Sequence, residues 1–221
     1  HANTQIPKVV GFARTASLSG EGDWMEASRF FWKTVVDHRS VSIGGNSVSE
    51  HFHPRDDFMP MIEHHEGPET CNTYNMLKLS ELLFREEPEA ELADYYERAL
   101  YNHILSSQHP DRGGFVYFTP MRPRHYRVYS QPGQCFWCCV GSGMENYGKY
   151  GRFIYAHENS DTLYVNLFIP STLHWEAKHV KLHQVTGFPA EPSSRLITEV
   201  QEPTRFTVKI RRPSWVPEDA F

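Results

Sequence analysis

Three of the four cysteines in the chain lie in one short stretch, Cys135-Phe136-Trp137-Cys138-Cys139, and two of them are adjacent. The fourth, Cys71, stands far upstream in Pro68-Glu69-Thr70-Cys71, two residues after an acid. Thiolates with one nearby carboxylate form a soft donor set. Zinc takes sulfur, nitrogen and oxygen ligands in tetrahedral array. Adjacent cysteines suit neither an ordinary disulfide nor a regular strand, because neighbouring side chains point to opposite faces. Both reach one ion only if the backbone turns there, and Gly141 and Gly143 just downstream are read as permitting the turn. Glu69 and Cys71 pose a similar problem, since residues two apart on an ideal helix point about 200° away from each other. Joint ligation therefore requires Glu69 at the non-helical start of its helix, beside Gly67-Pro68. On these terms Glu69, Cys71, Cys138 and Cys139 supply four ligands of the right kind for one zinc. Cys135 is the spare, able to replace one of them in a purely structural site.

Each feature also has a plainer reading. Glu69 by itself is an acid favoured at a helix N-terminus, and Cys71 a small buried hydrophobe. Cys138-Cys139 could be a buried pair or a strained vicinal disulfide. Cys135 and Cys138 have the C-x-x-C spacing of redox motifs, but a thioredoxin-like site wants that pair opening a helix after a strand. Here the approach is rich in Pro and Gly instead. His51, His53, His64 and His65 offer a rival metal site, without any helical H-E-x-x-H spacing, and none is taken as a ligand. Glu50, after Gly44-Gly45-Asn46-Ser47-Val48-Ser49, is the carboxylate chosen for proton transfer; the bland alternative is an exposed loop acid.

The elements that must position these residues change character along the chain. A short helix is expected over residues 2–16, weakened by Pro7 and Gly11. Asp23 and Glu26 form a capping-box pattern opening a second helix to about Asp37, with Trp24, Ala27, Phe31 and Val35 at helical spacing. Residues 40–67 lack any period and are dense in Gly, Pro, His and Asp, as functional loops of that length are. Helices follow from Pro68, striped by Met76, Leu79, Leu82 and Leu83, and after Pro88, striped by Leu92, Tyr96, Ala99, Leu100, His103 and Ile104. Phe115–Phe118 reads as a strand and Met144–Tyr155 as a short helix. From Asp161 on, alternation takes over: Leu163, Val165, Leu167 and Ile169, later Phe206, Val208 and Ile210, as in a β-sandwich. The chain is thus mainly α, then β, with the boundary near Asn159.

Charged residues make up 22% and the formal net charge is −5, which invites neither nucleic acid nor an anionic membrane. No apolar run approaches the ~20 residues of a membrane span. Aromatic residues reach 14%; sugar-handling proteins are often this rich, although aromatic cores are the commoner reason. Four cysteines in 221 residues are few for a disulfide scaffold. Both halves read as incomplete, so the chain is expected to be a piece of a longer protein, inactive and poorly stable alone.

The combination of Glu69-Thr70-Cys71, Phe136-Trp137-Cys138-Cys139, Gly143-Met144-Glu145-Asn146, the Gly44-Gly45…Glu50 loop and the opening His1-Ala2-Asn3-Thr4-Gln5-Ile6-Pro7-Lys8 resembles the zinc-dependent β-L-arabinofuranosidases of glycoside hydrolase families 127 and 146, closer to the second in its motifs. The resemblance runs over the whole chain, and the paired cysteines are its most specific part. It implies that residues 1–158 are the C-terminal portion of an (α/α)6 barrel carrying the active site, and 159–221 part of a β-sandwich module. It implies a retaining hydrolase of β-L-arabinofuranosides in plant-type glycans, with Cys138 as nucleophile and Glu50 as general acid/base. Glu69, Cys71, Cys138 and Cys139 would hold zinc, and His1 and Tyr117 would contact sugar. A periplasmic or secreted bacterial setting is favoured over the cytoplasm, and the oligomeric state is left open. Two other classes compete: a non-catalytic zinc-stabilised carbohydrate-binding module, with Trp137 and Tyr117 stacking on sugar, and a thiol redox protein using Cys135 and Cys138.

Overall fold

Ala2, Ile6, Val9, Ala13 and Ala16 recur every three or four positions, and in the computed structural model they form the buried stripe of helix α1 (Ala2–Ser19). The model describes residues 1–220. Pro7 lies inside α1 without ending it, so the helix is longer than its Pro and Gly content suggests. Gly20, at φ 76°, terminates it in the left-handed conformation, and its N–H donates to the Ala16 carbonyl. Helix α2 (Gly22–Arg39) starts one residue before the expected capping box: Glu21 is the N-cap, with no side-chain cap bond. Asp23 instead lies within the first turn, where the helix dipole favours an acid.

The chain folds as two compact units, His1–Gly148 and the residues from Lys149 on. In the first, α4 (Thr70–Glu86) is central and touches α1, α2, α5 (Ala90–Ala99) and α6 (Cys138–Tyr147). Leu77, Leu79 and Leu83 are almost wholly buried along it, each worth roughly 2 kcal/mol in area removed from water. Trp32 of α2 donates its indole N–H to Ser80 of α4 at 2.8 Å, so the largest buried ring is also satisfied. Helix α5 runs on through a π turn, Leu100–Ile104, that carries the buried His103. A short helix α3 (Met59–Glu63) interrupts the long loop between α2 and α4. That loop is anchored where Tyr95 donates to the Gly44 carbonyl at 2.9 Å. Gly44 has φ +82° and an added Cβ would lie 2.6 Å from that of Ala99, so only glycine fits.

The second unit opens with one helical turn, α7 (Gly151–Ile154), and holds two three-stranded sheets. In one, β1 (Tyr155–Glu158) pairs antiparallel with β2 (Thr162–Val165), and β2 parallel with β6 (Thr207–Ile210). In the other, β4 (Val180–Thr186) lies antiparallel between β3 (Ser171–Trp175) and β5 (Ser194–Val200). Leu163 from the first sheet shares one apolar cluster with Trp175, Val180 and Leu182 from the second. Alternation foresaw Leu163 and Val165 correctly, but Ile210 is 45% exposed although it keeps the phase of the inward-facing Val208.

Two local expectations give way. Phe115–Phe118 makes only isolated bridges, Phe115 to Gln108, Val116 to Tyr129 and Phe118 to Glu69, because each of its residues serves a different neighbour. The helix expected from Met144 begins six residues earlier, at Cys138, and ends at Tyr147; Tyr155 is already strand. No helix among the described residues is long and apolar enough to cross a membrane.

Candidate active site and metal centre

Glu69 is the N-cap of α4, with φ −79° and ψ 131°, the extended conformation that lets its side chain and that of Cys71 converge. The segment before α6 is stitched to this helix start. The Thr70 N–H donates to the Tyr117 carbonyl at 3.0 Å, the Thr70 hydroxyl to the Val116 carbonyl at 2.9 Å, and the Thr119 N–H to the Pro68 carbonyl at 2.9 Å. Gly67 makes this approach possible, since a Cβ there would lie 2.2 Å from the Thr119 carbonyl oxygen. Cys138 and Cys139 are the first two residues of α6, following the extended N-cap Trp137. The turn that brings both thiols to one place is thus the helix start, not Gly141 or Gly143. Gly143 instead lets α6 lie on the Phe115 ring, where a Cβ would come within 2.4 Å of it.

Two helix N-termini therefore present four ligand atoms to one another. Among the described residues, Glu69, Cys71, Cys138 and Cys139 form the group that could hold a metal ion, their atoms all within 4.8 Å. Cys71 and Cys139 sulfurs are 3.2 Å apart, Cys138 and Cys139 3.9 Å, and Cys138 Sγ lies 3.9 Å from Glu69 Oε1. A tetrahedral zinc site with Zn–S bonds of ~2.3 Å spaces its sulfurs by roughly 3.8 Å. Glu69 Oε2 is buried without a hydrogen-bond partner, an oxygen a cation would satisfy.

The electrostatics agree with this fit. Burial pushes the Glu69 carboxyl up to about 8, helped by the charges of Cys71 and Glu50. Hydrogen bonding from Cys139 pulls the Cys71 thiol down to about 6, against the cost of burial. Cys139, sharing that bond as donor and buried, is driven far upward, and burial raises Cys138. Four acids crowded at one point cannot all ionise unless a cation joins them.

Cys71, Cys139 and Glu69 are buried, whereas Cys138 is exposed and is the member a substrate can reach. Glu50 stands on a two-residue hairpin turn. Val48 and His51 exchange backbone hydrogen bonds of 2.8 and 2.9 Å, with Ser49 and Glu50 between them at φ 45° and 68°. Such type I′ turns ordinarily hold Asn and Gly, so a glutamate here carries backbone strain of the kind found at functional sites. Its carboxylate is held at both ends: His1 Nε2 lies 2.8 Å from Oε2, and the Tyr117 hydroxyl donates to Oε1. Burial, with the bond to Glu50, raises the pKa of this phenol well above the tyrosine range.

The expected site residues His1, Glu50, Glu69, Cys71, Tyr117, Cys138 and Cys139 are thus brought together. Cys135 lies outside the metal-ligand group, as do the loop histidines, and all four cysteines are free thiols. Missed from the sequence was Asn3, whose Nδ2 donates to Glu69 Oε1 at 3.0 Å and whose Oδ1 accepts from Asn75 Nδ2 at 2.9 Å. Its only signal was membership of the His1-Ala2-Asn3 stretch.

Residues 1–152 match the family described as beta-L-arabinofuranosidase, GH127 catalytic domain, and residues 162–221 match its middle domain. The chain belongs to the GH127 β-L-arabinofuranosidase family. Of the two families the motifs resemble, the match is to the first. A curated relative, the non-reducing end beta-L-arabinofuranosidase of Bifidobacterium longum subsp. longum, is 24% identical over 193 residues, covering 81% of this chain and 29% of that protein. A GH127 β-L-arabinofuranosidase from Geobacillus stearothermophilus superposes with a TM-score of 0.84 at 25% identity, over 97% of this chain and 36% of that one. A second GH127 β-arabinofuranosidase gives a TM-score of 0.84 at 26% identity, over 97% and 34%. This GH127 chain spans about a third of the length of these relatives.

Proposed function

We propose that the protein carrying this chain is a retaining glycoside hydrolase of β-L-arabinofuranosides in arabinose-containing oligo- or polysaccharides, with Cys138 as nucleophile and Glu50 as acid/base. The observation that carries the reading is Tyr117, whose phenol donates to the Glu50 carboxylate and whose carbonyl accepts at 3.8 Å from the thiol of Cys139, the neighbour of the exposed Cys138. A proton donor and a soft nucleophile therefore face one small space, as a two-step displacement requires. A carbohydrate-binding module without catalysis has no use for a strained glutamate joined through one tyrosine to a cluster with an exposed thiol.

Glu69, Cys71, Cys138 and Cys139 would hold zinc, which keeps the thiol ionised at neutral pH. The first turns of α4 and α6 add their positive ends at the same point. His1 and Tyr117 orient the Glu50 carboxyl and would contact the sugar between them. Glu50 protonates the leaving oxygen as the Cys138 sulfur attacks the anomeric carbon; a C–S bond forms and the C–O bond breaks. Glu50 then takes a proton from water, whose oxygen displaces the sulfur and restores the thiolate.

In this reading residues 1–158 are the C-terminal portion of an (α/α)6 barrel and 159–221 part of a β-sandwich, supported by the helical unit and by the two-sheet unit with its shared core. A periplasmic or secreted setting is proposed with it. Hydrolysis of a β-L-arabinofuranoside by the full-length protein, followed by NMR of the first-formed anomer, tests the function. Release of arabinose with retained configuration is expected; inversion, or no hydrolysis by zinc-loaded protein, overturns it.

A further inference from the structure

Each residue in the first turn of α4 reaches out of the helix to hold something else. Thr70 ties down the backbone at Val116 and Tyr117, Cys71 belongs to the metal-ligand group, and the Thr73 hydroxyl lies 2.8 Å from Nδ1 of the buried His103. Asn72 is the remaining member. It is fully buried, and its Nδ2 donates to the Ser47 hydroxyl at 2.7 Å. Ser47 is fully buried as well and stands three residues before Glu50.

Ser47 needs such a hold. Its φ is 76°, in the left-handed region, and Ser49 and Glu50 follow at 45° and 68°. Three of the four residues 47–50 thus take a conformation that favours glycine, and none of them is glycine. Strained backbone of this kind persists only where its surroundings over-determine it. At the turn itself the backbone does so: Val48 pairs with His51, the Ser49 N–H donates to the Glu66 carbonyl at 3.0 Å, and the Ala2 N–H to the Glu50 carbonyl at 2.7 Å. At Ser47 the bond that serves is the one from Asn72, the residue next to the metal-ligand candidate Cys71.

We propose that Asn72 is a positioning residue for the acid/base: by holding Ser47 in its left-handed conformation, it fixes where the Glu50 carboxyl stands relative to the start of α4. The inference rests on the glycosidase reading above. Proton donation to a leaving oxygen needs a heavy-atom reach of about 2.6–3.2 Å, so a turn entered at another φ would take Glu50 out of range.

The test uses the full-length protein and two substrates with the same arabinofuranosyl ring. Methyl β-L-arabinofuranoside has a poor leaving group that needs the Glu50 proton; the 4-nitrophenyl glycoside has one that departs without it. Loss of folded protein or of zinc lowers kcat/KM for both alike, whereas displacement of Glu50 lowers the methyl-to-nitrophenyl ratio. Asn72→Ala is expected to lower that ratio about tenfold. Ser47→Ala keeps the strained backbone without its bond and should lower the ratio by a similar factor, the double variant no further than either. Should Asn72→Ala fail to fold, Ser47→Ala carries the same test. Adding Ser47→Gly to Asn72→Ala should bring back most of the ratio, because glycine adopts positive φ without help. A ratio unchanged in either alanine variant, or one that Ser47→Gly fails to restore, overturns the proposal. If the unaltered protein cleaves neither substrate, the glycosidase reading fails, and amide hydrogen exchange decides the positioning role. Faster exchange in the peptide spanning residues 47–51 of Asn72→Ala, reversed by Ser47→Gly, supports it; exchange equal to that of the unaltered protein refutes it.

Discussion

Cys138 and Cys139 are neighbours in sequence with opposite surroundings, the first exposed and the second fully buried. Cys138→Ser should therefore cut turnover at least roughly a thousandfold while the remaining ligands still retain zinc. Cys139→Ser should lose metal first and activity with it; elemental analysis beside kcat separates the two. Asn3 acts through Glu69, fixing the carboxylate by its hydrogen bond to Oε1. Asn3→Ala is expected to weaken zinc binding by about 10–100-fold, read by competition with a chelator. Zinc binding should also depend on pH through Glu69. Burial holds its proton up to about 8, so a cation must displace that proton, and affinity should fall as pH drops below about 8. In the metal-free chain the sign reverses. There the folded state holds the proton more tightly than the unfolded one, so the stability from Glu69 is full below the ordinary carboxylate range and is lost as pH rises through about 8. Zinc titrations and unfolding curves on both sides of that value check both slopes.

At the scale of elements, the site depends on where two helices begin. That α4 starts close after Gly67 was legible, although it begins at Thr70, two residues beyond the expected Pro68, with Glu69 as the extended cap that two ligands two residues apart demand. That α6 starts at Cys138 was not. Its first turn, Cys-Cys-Val-Gly, has neither a capping side chain nor an apolar stripe, and tertiary packing on α4 and Phe115 decides it. Two glycines of α6 separate packing from propensity. Gly143→Ala drives a methyl into the Phe115 ring and should destabilise by about 1–3 kcal/mol. At Gly141 nothing lies within reach of a Cβ, so Gly141→Ala should stabilise by roughly 0.5–1 kcal/mol. Chemical denaturation of the two variants gives both signs. The Glu50 turn was legible only as a bendable loop. Its two positive-φ positions hold Ser49 and Glu50, residue types that do not advertise a type I′ turn.

For the whole molecule, sequence periodicity recovered the order of helices followed by strands, because α5 buries residues at helical spacing and β2 buries alternate ones. It did not recover the pairing of β2 with β6, which is parallel and joins strands more than forty residues apart. Within the helical unit, the candidate metal joins α4 to α6 in addition to their packing. Removing zinc should therefore lower the thermal midpoint of that unit, with amide exchange rising first at the starts of α4 and α6. A midpoint indifferent to chelation would mean that packing alone holds those helices together.

The central claim is that Cys138 forms a bond to sugar with Glu50 as its proton donor. Mass spectrometry of full-length Glu50→Gln protein after reaction with an activated β-L-arabinofuranoside addresses it directly. The good leaving group needs no proton, so the first step proceeds while the second, which needs a base, stalls. One arabinosyl unit on the peptide containing Cys138 is the expected result. Sugar on a carboxylate, or no adduct although the activated substrate is consumed, would contradict it.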